Sequence, residues 1–162
     1  MSHDDPDYEL IRHAYEVLDG IPAERFDLDH IIELTPSMDV GTFKARPTCN
    51  TLACGMGWLA LHPDFKRLGL RLNGHGKLTF KGFTYAFDYE KAAVKLFNLS
   101  WSDDAEAMFA PRFNSLYDKE LNVVSRCFDN DKVSDKELLL YRIRRFLQDH
   151  NQPVNNYYVP AV

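Results

Sequence analysis

The strongest feature of the hydrophobic pattern is an uninterrupted run, Leu52 to Leu61, in which ten consecutive residues carry no charge and no strongly polar side chain. Wound as a helix, the run places Leu52, Met56 and Leu59 on one stripe, Cys54, Trp58 and Leu61 on a second, and the small Ala53, Gly57 and Ala60 on a third. The spacing predicts a helix over Thr51–Leu61, capped by Thr51 and stopped at His62-Pro63, since proline disfavours helical geometry in the residue before it. A helix apolar on every side is a buried one, so the rest of the chain is expected to wrap around it. Gly55 and Gly57 each cost such a helix about 1 kcal/mol relative to alanine. Either a neighbouring element comes close there, or a ligand needs the exposed backbone.

Elsewhere the pattern alternates between helical and extended periods. Tyr8, Ile11, Tyr15 and Leu18 recur at helical spacing within Pro6–Leu18, with Asp19-Gly20 as the stop. From Ile21 to Pro47 the pattern is irregular, and Phe26, Leu28, Ile31, Ile32 and Leu34 suggest a short helix followed by loop. Between Gly69 and Phe87 the period becomes two: Leu70 and Leu72, then Leu78 and Phe80, then Phe83, Tyr85 and Phe87. Turn signals at Asn73-Gly74-His75-Gly76 and Lys81-Gly82 make this a hairpin or a three-stranded antiparallel meander. A helix is expected over Tyr89–Leu99, and a short one capped by Ser100 or Ser102 carries Ala105, Met108 and Phe109 up to Pro111. A further short helix is expected around Lys119–Phe128. Ser134-x-x-Glu137 is a capping box opening a helix with Leu139, Ile143, Phe146 and Leu147 inward and Lys136, Arg142 and Gln148 outward. The aromatic tail, 151–162, is expected to tuck against a core spanning about 6–150. These elements define an α+β, mainly helical single domain over 1–162, with a central buried helix and a small antiparallel hairpin or meander.

Composition narrows the function classes. With 162 residues, 45% hydrophobic and 13% aromatic, the chain suits one packed core. A net charge of −5 and a pI near 5.6 argue against a nucleic-acid binder that works by phosphate neutralisation. Arg142, Arg144 and Arg145 form the one dense arginine cluster, which reads as a solvated helix surface or, through Arg142 and Arg145, as a site for an acidic partner or phosphate. Three cysteines and an acidic start without a signal-peptide run place the expected compartment in the cytoplasm. No run has the length of a membrane span, and no cofactor-binding motif is found.

Two constellations carry candidate chemistry. With Thr51 as cap, Cys54 takes the third helical position, where free amides and the helix dipole favour a thiolate. His75 is then the candidate base and Asp88 the orienting group, with Cys49 as the more exposed alternative nucleophile. The plain reading of Cys54 is a small core residue. Cys49, Cys54 and His62, with His75 beyond, also offer soft metal ligands, but the second tight knuckle of a structural zinc site is missing.

Ile21-Pro22-x-x-x-Phe26-Asp27-Leu28, Cys49-x-Thr51-x-Ala53-Cys54-x-x-Gly57-Trp58 and Pro63-x-Phe65-x-x-Leu68-Gly69-Leu70 resemble a family of small uncharacterised proteins from bacteria and tailed phages. Phe97-Asn98-Leu99-Ser100 and Met108-Phe109-x-Pro111 fit its second block, so the likeness covers about 20 to 115. Asn50 stands where the family has glycine after its leading cysteine. The resemblance implies an architecture and a phage or bacterial setting, and no chemistry. The expected function is a non-enzymatic binding module that engages a host protein or a small ligand, as in a phage accessory or counter-defence role, with a homo-oligomer compatible with this reading. The alternatives are a cysteine-dependent hydrolase or transferase using Cys54 or Cys49, and a small-molecule, nucleotide-type sponge.

Overall fold

Asp7 opens the first helix, α1 (Tyr8–Asp19), by accepting the Leu10 amide at 3.0 Å. One face of α1 buries Ile11, Ala14, Tyr15 and Leu18, as the periodicity predicts. The computed structural model describes residues 5–28, 32–33, 52–73, 77–85, 89–110, 115, 117–118 and 134–153. The expected helix around Lys119–Phe128, the aromatic tail beyond 153 and the turn residues 74–76 lie outside them.

A 3₁₀ turn at Ala23–Arg25 leads to Phe26, which bridges to Ala53 in parallel. Two short strands, β1 (Ile32–Glu33) and β2 (Leu52–Ala53), then pair antiparallel, with Ile32 opposite Ala53. Two expectations are corrected here. Ile32 belongs to a strand instead of a short helix, and Leu52–Ala53 are extended instead of forming the first turn of the central helix. The reason lies in the hydrogen bonds: the Ala53 carbonyl accepts the Asp27 amide at 3.1 Å, so it is not given to a helical bond four residues on. Helix α2 therefore runs only over Gly55–Leu61, and Cys54, extended at φ −74° and ψ 177°, is its cap.

The expected burial holds from Ala53 to Ala60, while Leu61 is only partly buried. Gly55 to Ala60 are all buried, and Met56, Leu59 and Ala60 have no exposed surface. His62 separates α2 from the one-turn helix α3 (Pro63–Arg67), and Pro63 stands at the first helical position, where its missing amide costs nothing. The meander follows as predicted: β3 (Leu70–Leu72), β4 (Leu78–Phe80) and β5 (Phe83–Tyr85) pair in sequence order, with Leu70 opposite Phe80 and Phe80 opposite Phe83. Lys81 and Gly82 form the two-residue turn between β4 and β5, both at positive φ (49° and 87°), the geometry that matches strand twist in a tight hairpin.

Helices α4 (Tyr89–Phe97) and α5 (Ser102–Phe109) pack together, with Phe97 and Phe109 stacked at 5.7 Å between ring centroids. Neither Ser100 nor Ser102 caps α5: the cap residue is Trp101, which gives no side-chain cap bond. The last helix, α6 (Asp135–Asp149), starts as its capping box predicts, with Ser134 Oγ accepting the Glu137 amide at 3.1 Å. It packs on α1 and α5. Its first turn also ties down the chain beyond α1: Asp135 accepts the Leu28 amide, and Lys136 donates to the Asp19 carbonyl. Among the described residues the buried side chains form one cluster drawing on the six α-helices and on β3 and β4, an α+β, mainly helical arrangement.

Candidate functional site

The residues predicted for catalysis do not assemble into a described site. Cys49, His75 and Asp88 lie outside the described residues. Cys54 is buried at the start of α2, and burial pushes its thiol up to about 11, although the amides of Gly57 and Met56 pull the other way. The helix start favours a thiolate less than dehydration disfavours it. As a metal ligand His62 is already occupied on one side, because its Nδ1 accepts the Asp64 amide at 3.2 Å. Among the described residues no group of three His, Cys, Asp or Glu side chains is placed to hold a metal ion.

Arg142 was expected on the solvent side of α6; it lies in the interior, with no exposed surface. Its Nε and Nη2 donate to the two carboxylate oxygens of Asp118 at 2.8 and 2.6 Å, and Nη1 donates to the Ala110 carbonyl at 2.5 Å. A guanidinium can enter a core only with such a fork of acceptors, and Asp118, itself 1% exposed, supplies it. Arg145 is half-buried elsewhere on the helix, 3.6 Å from Asp149 and 5.9 Å from the ring of Tyr117. Tyr117 in turn donates its hydroxyl to Asp149 at 2.9 Å, and burial followed by that carboxylate pushes its phenol up. The two arginines do not share a site.

Features that the sequence did not single out gather around α3. On one side, His13 of α1 donates Nε2–H to Asp64 at 2.8 Å and stacks on Phe65 at 5.7 Å. Arg67 pairs with the other Asp64 oxygen. The hydrogen bond from His13 foremost, then the Arg67 charge, hold the Asp64 carboxyl below the usual carboxylate range against some desolvation. The dyad orients its groups, and among the described residues no thiol or hydroxyl is hydrogen-bonded to either imidazole.

On the other side of α3 a shallow groove runs between α2, α3 and β3, lined by Ala60, Leu61, Lys66, Arg71 and Leu72. Its lining includes two cations, Lys66 and Arg71, and the partly exposed Leu61, whereas Ala60 and Leu72 are themselves buried. A third surface feature stands at the α4–α5 corner, where Trp101 is 69% exposed, against 43% for Leu68, the other exposed large apolar side chain among the described residues. His13 and Asp64 are 51 positions apart, and no local pattern marks their meeting. Trp101 was legible only as a tryptophan between two serines at a helix start. Among the described residues no helix is long and apolar enough to cross a membrane. No family model, no curated protein and no solved structure matches this chain.

Proposed function

We propose that this chain is a non-enzymatic binding module of phage or bacterial origin that engages a host protein through the α4–α5 corner. The observation that carries the reading is Trp101. It caps α5, sits among exposed Ser100, Ser102 and Asp103, and leaves most of its ring in water. A tryptophan so placed forgoes the burial that drives the rest of this aromatic-rich chain inward, and it is the side chain type that most often anchors a protein interface. Support for a non-enzymatic role comes from the thiol of Cys54, buried and pushed up to about 11. The phage or bacterial setting rests on the motif from Cys49 to Trp58.

The test is affinity capture from bacterial lysate with the wild-type chain and a Trp101→Ala variant of equal melting temperature. A partner held by the wild type and lost by at least about tenfold in the variant, the scale of one interface anchor, supports the reading. Equal retention of every captured protein overturns it.

A further inference from the structure

Two acidic stretches of the chain meet at the corner that carries Trp101. Leu96 to Pro111 holds Asp103, Asp104 and Glu106, Asp5 to Ile11 holds Asp5, Asp7 and Glu9, and neither stretch contains a lysine or an arginine. Two hydrogen bonds fasten the second stretch to the turn before Trp101: Asn98 Nδ2 donates to the Asp5 carbonyl at 2.8 Å, and the Asp7 amide donates to the Phe97 carbonyl at 2.8 Å. Asp5 and Asp103 are exposed, whereas Asp104 is half-buried. The Tyr8 phenol, pushed up foremost by burial and then by the charges of Asp5 and Asp104, lies in the field of both stretches. Lys95, exposed in the last turn of α4, is the lysine or arginine nearest to Trp101 in sequence, and the charge of His150 acts on Asp104.

Resting on the reading of Trp101 as an interface anchor, we infer that the host protein presents an arginine-bearing basic segment to this corner, one guanidinium lying on the Trp101 indole beside the Asp103 carboxylate. An indole is the strongest aromatic face for a cation, and a guanidinium both stacks flat on it and forks onto a carboxylate, which the ammonium of a lysine does not. The carboxylates decide the sign of what approaches. An acidic partner would meet like charges, and an apolar one would have to strip water from Asp5 and Asp103 without replacing it. The fold already uses this pairing inside itself, where the Arg25 guanidinium stands 5.2 Å from the centre of the Trp58 ring. A second copy meeting the first through the same corner is disfavoured, because a two-fold contact would bring the same carboxylates together.

A capped tetra-arginine peptide, titrated into the full chain at low salt beside tetra-lysine and tetra-glutamate peptides, tests the assignment through amide chemical shifts and the emission of Trp101, the exposed one of the two tryptophans. Tetra-arginine is expected to shift the amides from Leu99 to Asp104 and to quench that emission, with tetra-lysine weaker by about fivefold and tetra-glutamate inert. Trp101→Ala is expected to weaken tetra-arginine binding by about tenfold and Asp103→Asn by about threefold, and added salt to weaken it further. Tetra-lysine matching tetra-arginine, shifts centred on another face, or affinity unchanged in either variant each overturn the inference. The two readings fail separately in the lysate: a partner that needs Trp101 but is held as firmly by Asp103→Asn and at high salt leaves the anchor standing and removes the basic segment. Equal retention by Trp101→Ala removes both.

Discussion

Helices α2 and α6 both lie in the interior, and they reach it by opposite chemistry. α2 is seven residues without a charge, and the polar side-chain group buried within Gly55 to Ala60, the indole N–H of Trp58, donates to the Arg25 carbonyl at 2.9 Å. α6 is fifteen residues rich in charge, and its buried face includes Arg142 beside Leu138–Tyr141, Ile143, Phe146 and Leu147. The burial of α2 depends on apolar surface and on that one neutral hydrogen bond. That of α6 depends also on the chain around 115–118, because Asp118 must be docked before the guanidinium can leave water. Ser115, buried and donating to the Ala107 carbonyl at 2.5 Å, helps to seat that segment against α5.

The largest expected effect breaks the α6 solution. Asp118→Ala strands a buried guanidinium and is expected to cost about 3–5 kcal/mol in denaturant-induced unfolding, the penalty for removing one partner of a buried pair. Replacing both members with apolar residues of similar size, Arg142→Met with Asp118→Leu, is expected to recover most of that loss. A cost below about 1 kcal/mol for Asp118→Ala would mean that the pair is hydrated in solution.

A smaller effect probes the start of α2. The Cys54 thiol is held neutral by burial, its folded-state value lying near 11 against an ordinary 9.0. Because the folded value is the higher one, this contribution is complete below pH 9 and is lost as pH rises toward 11, where the unfolded chain releases a proton that the folded chain keeps. The stability difference between wild type and Cys54→Ala should therefore shrink by about 2 kcal/mol over that interval, with the other two cysteines cancelling in the comparison. Parallel pH curves would place the thiol in contact with water.

The same contrast explains what could be read from the sequence. The burial of α2, the cap of α6 and the meander were legible because each is written in adjacent residues: an uncharged run, Ser134 with Glu137, and alternating leucines closed by Lys81-Gly82. What escaped is long-range. The β1–β2 pair joins two-residue strands about twenty positions apart and shortens the helix expected from Thr51. Arg142 was assigned to water because an arginine on an amphipathic helix ordinarily points outward, and its partner lies 24 residues upstream in a segment without periodicity. The groove needed the fold, since Lys66 and Arg71 come from different elements.

The smallest effect settles what Gly55 does for α2. An added Cβ would stand 2.9 and 3.2 Å from the two methyls of Leu139 and 3.3 Å from Phe109 Cδ1. Both neighbours are constrained, Leu139 fully buried on α6 and Phe109 stacked on Phe97, so neither yields freely. Two terms oppose one another in Gly55→Ala: alanine gains up to about 1 kcal/mol in helix propensity, while overpacking a filled core costs about 1–3 kcal/mol. The steric term wins, and a net loss of about 1 kcal/mol is expected from denaturant unfolding. Combining the change with Leu139→Ala turns the clash into partial filling of a cavity, so the double variant should be more stable than the sum of the single losses predicts. That non-additivity separates close packing from a backbone kept bare for a ligand, because a glycine reserved for recognition would show no coupling to Leu139, and Gly55→Ala would then stabilise the fold by its propensity alone.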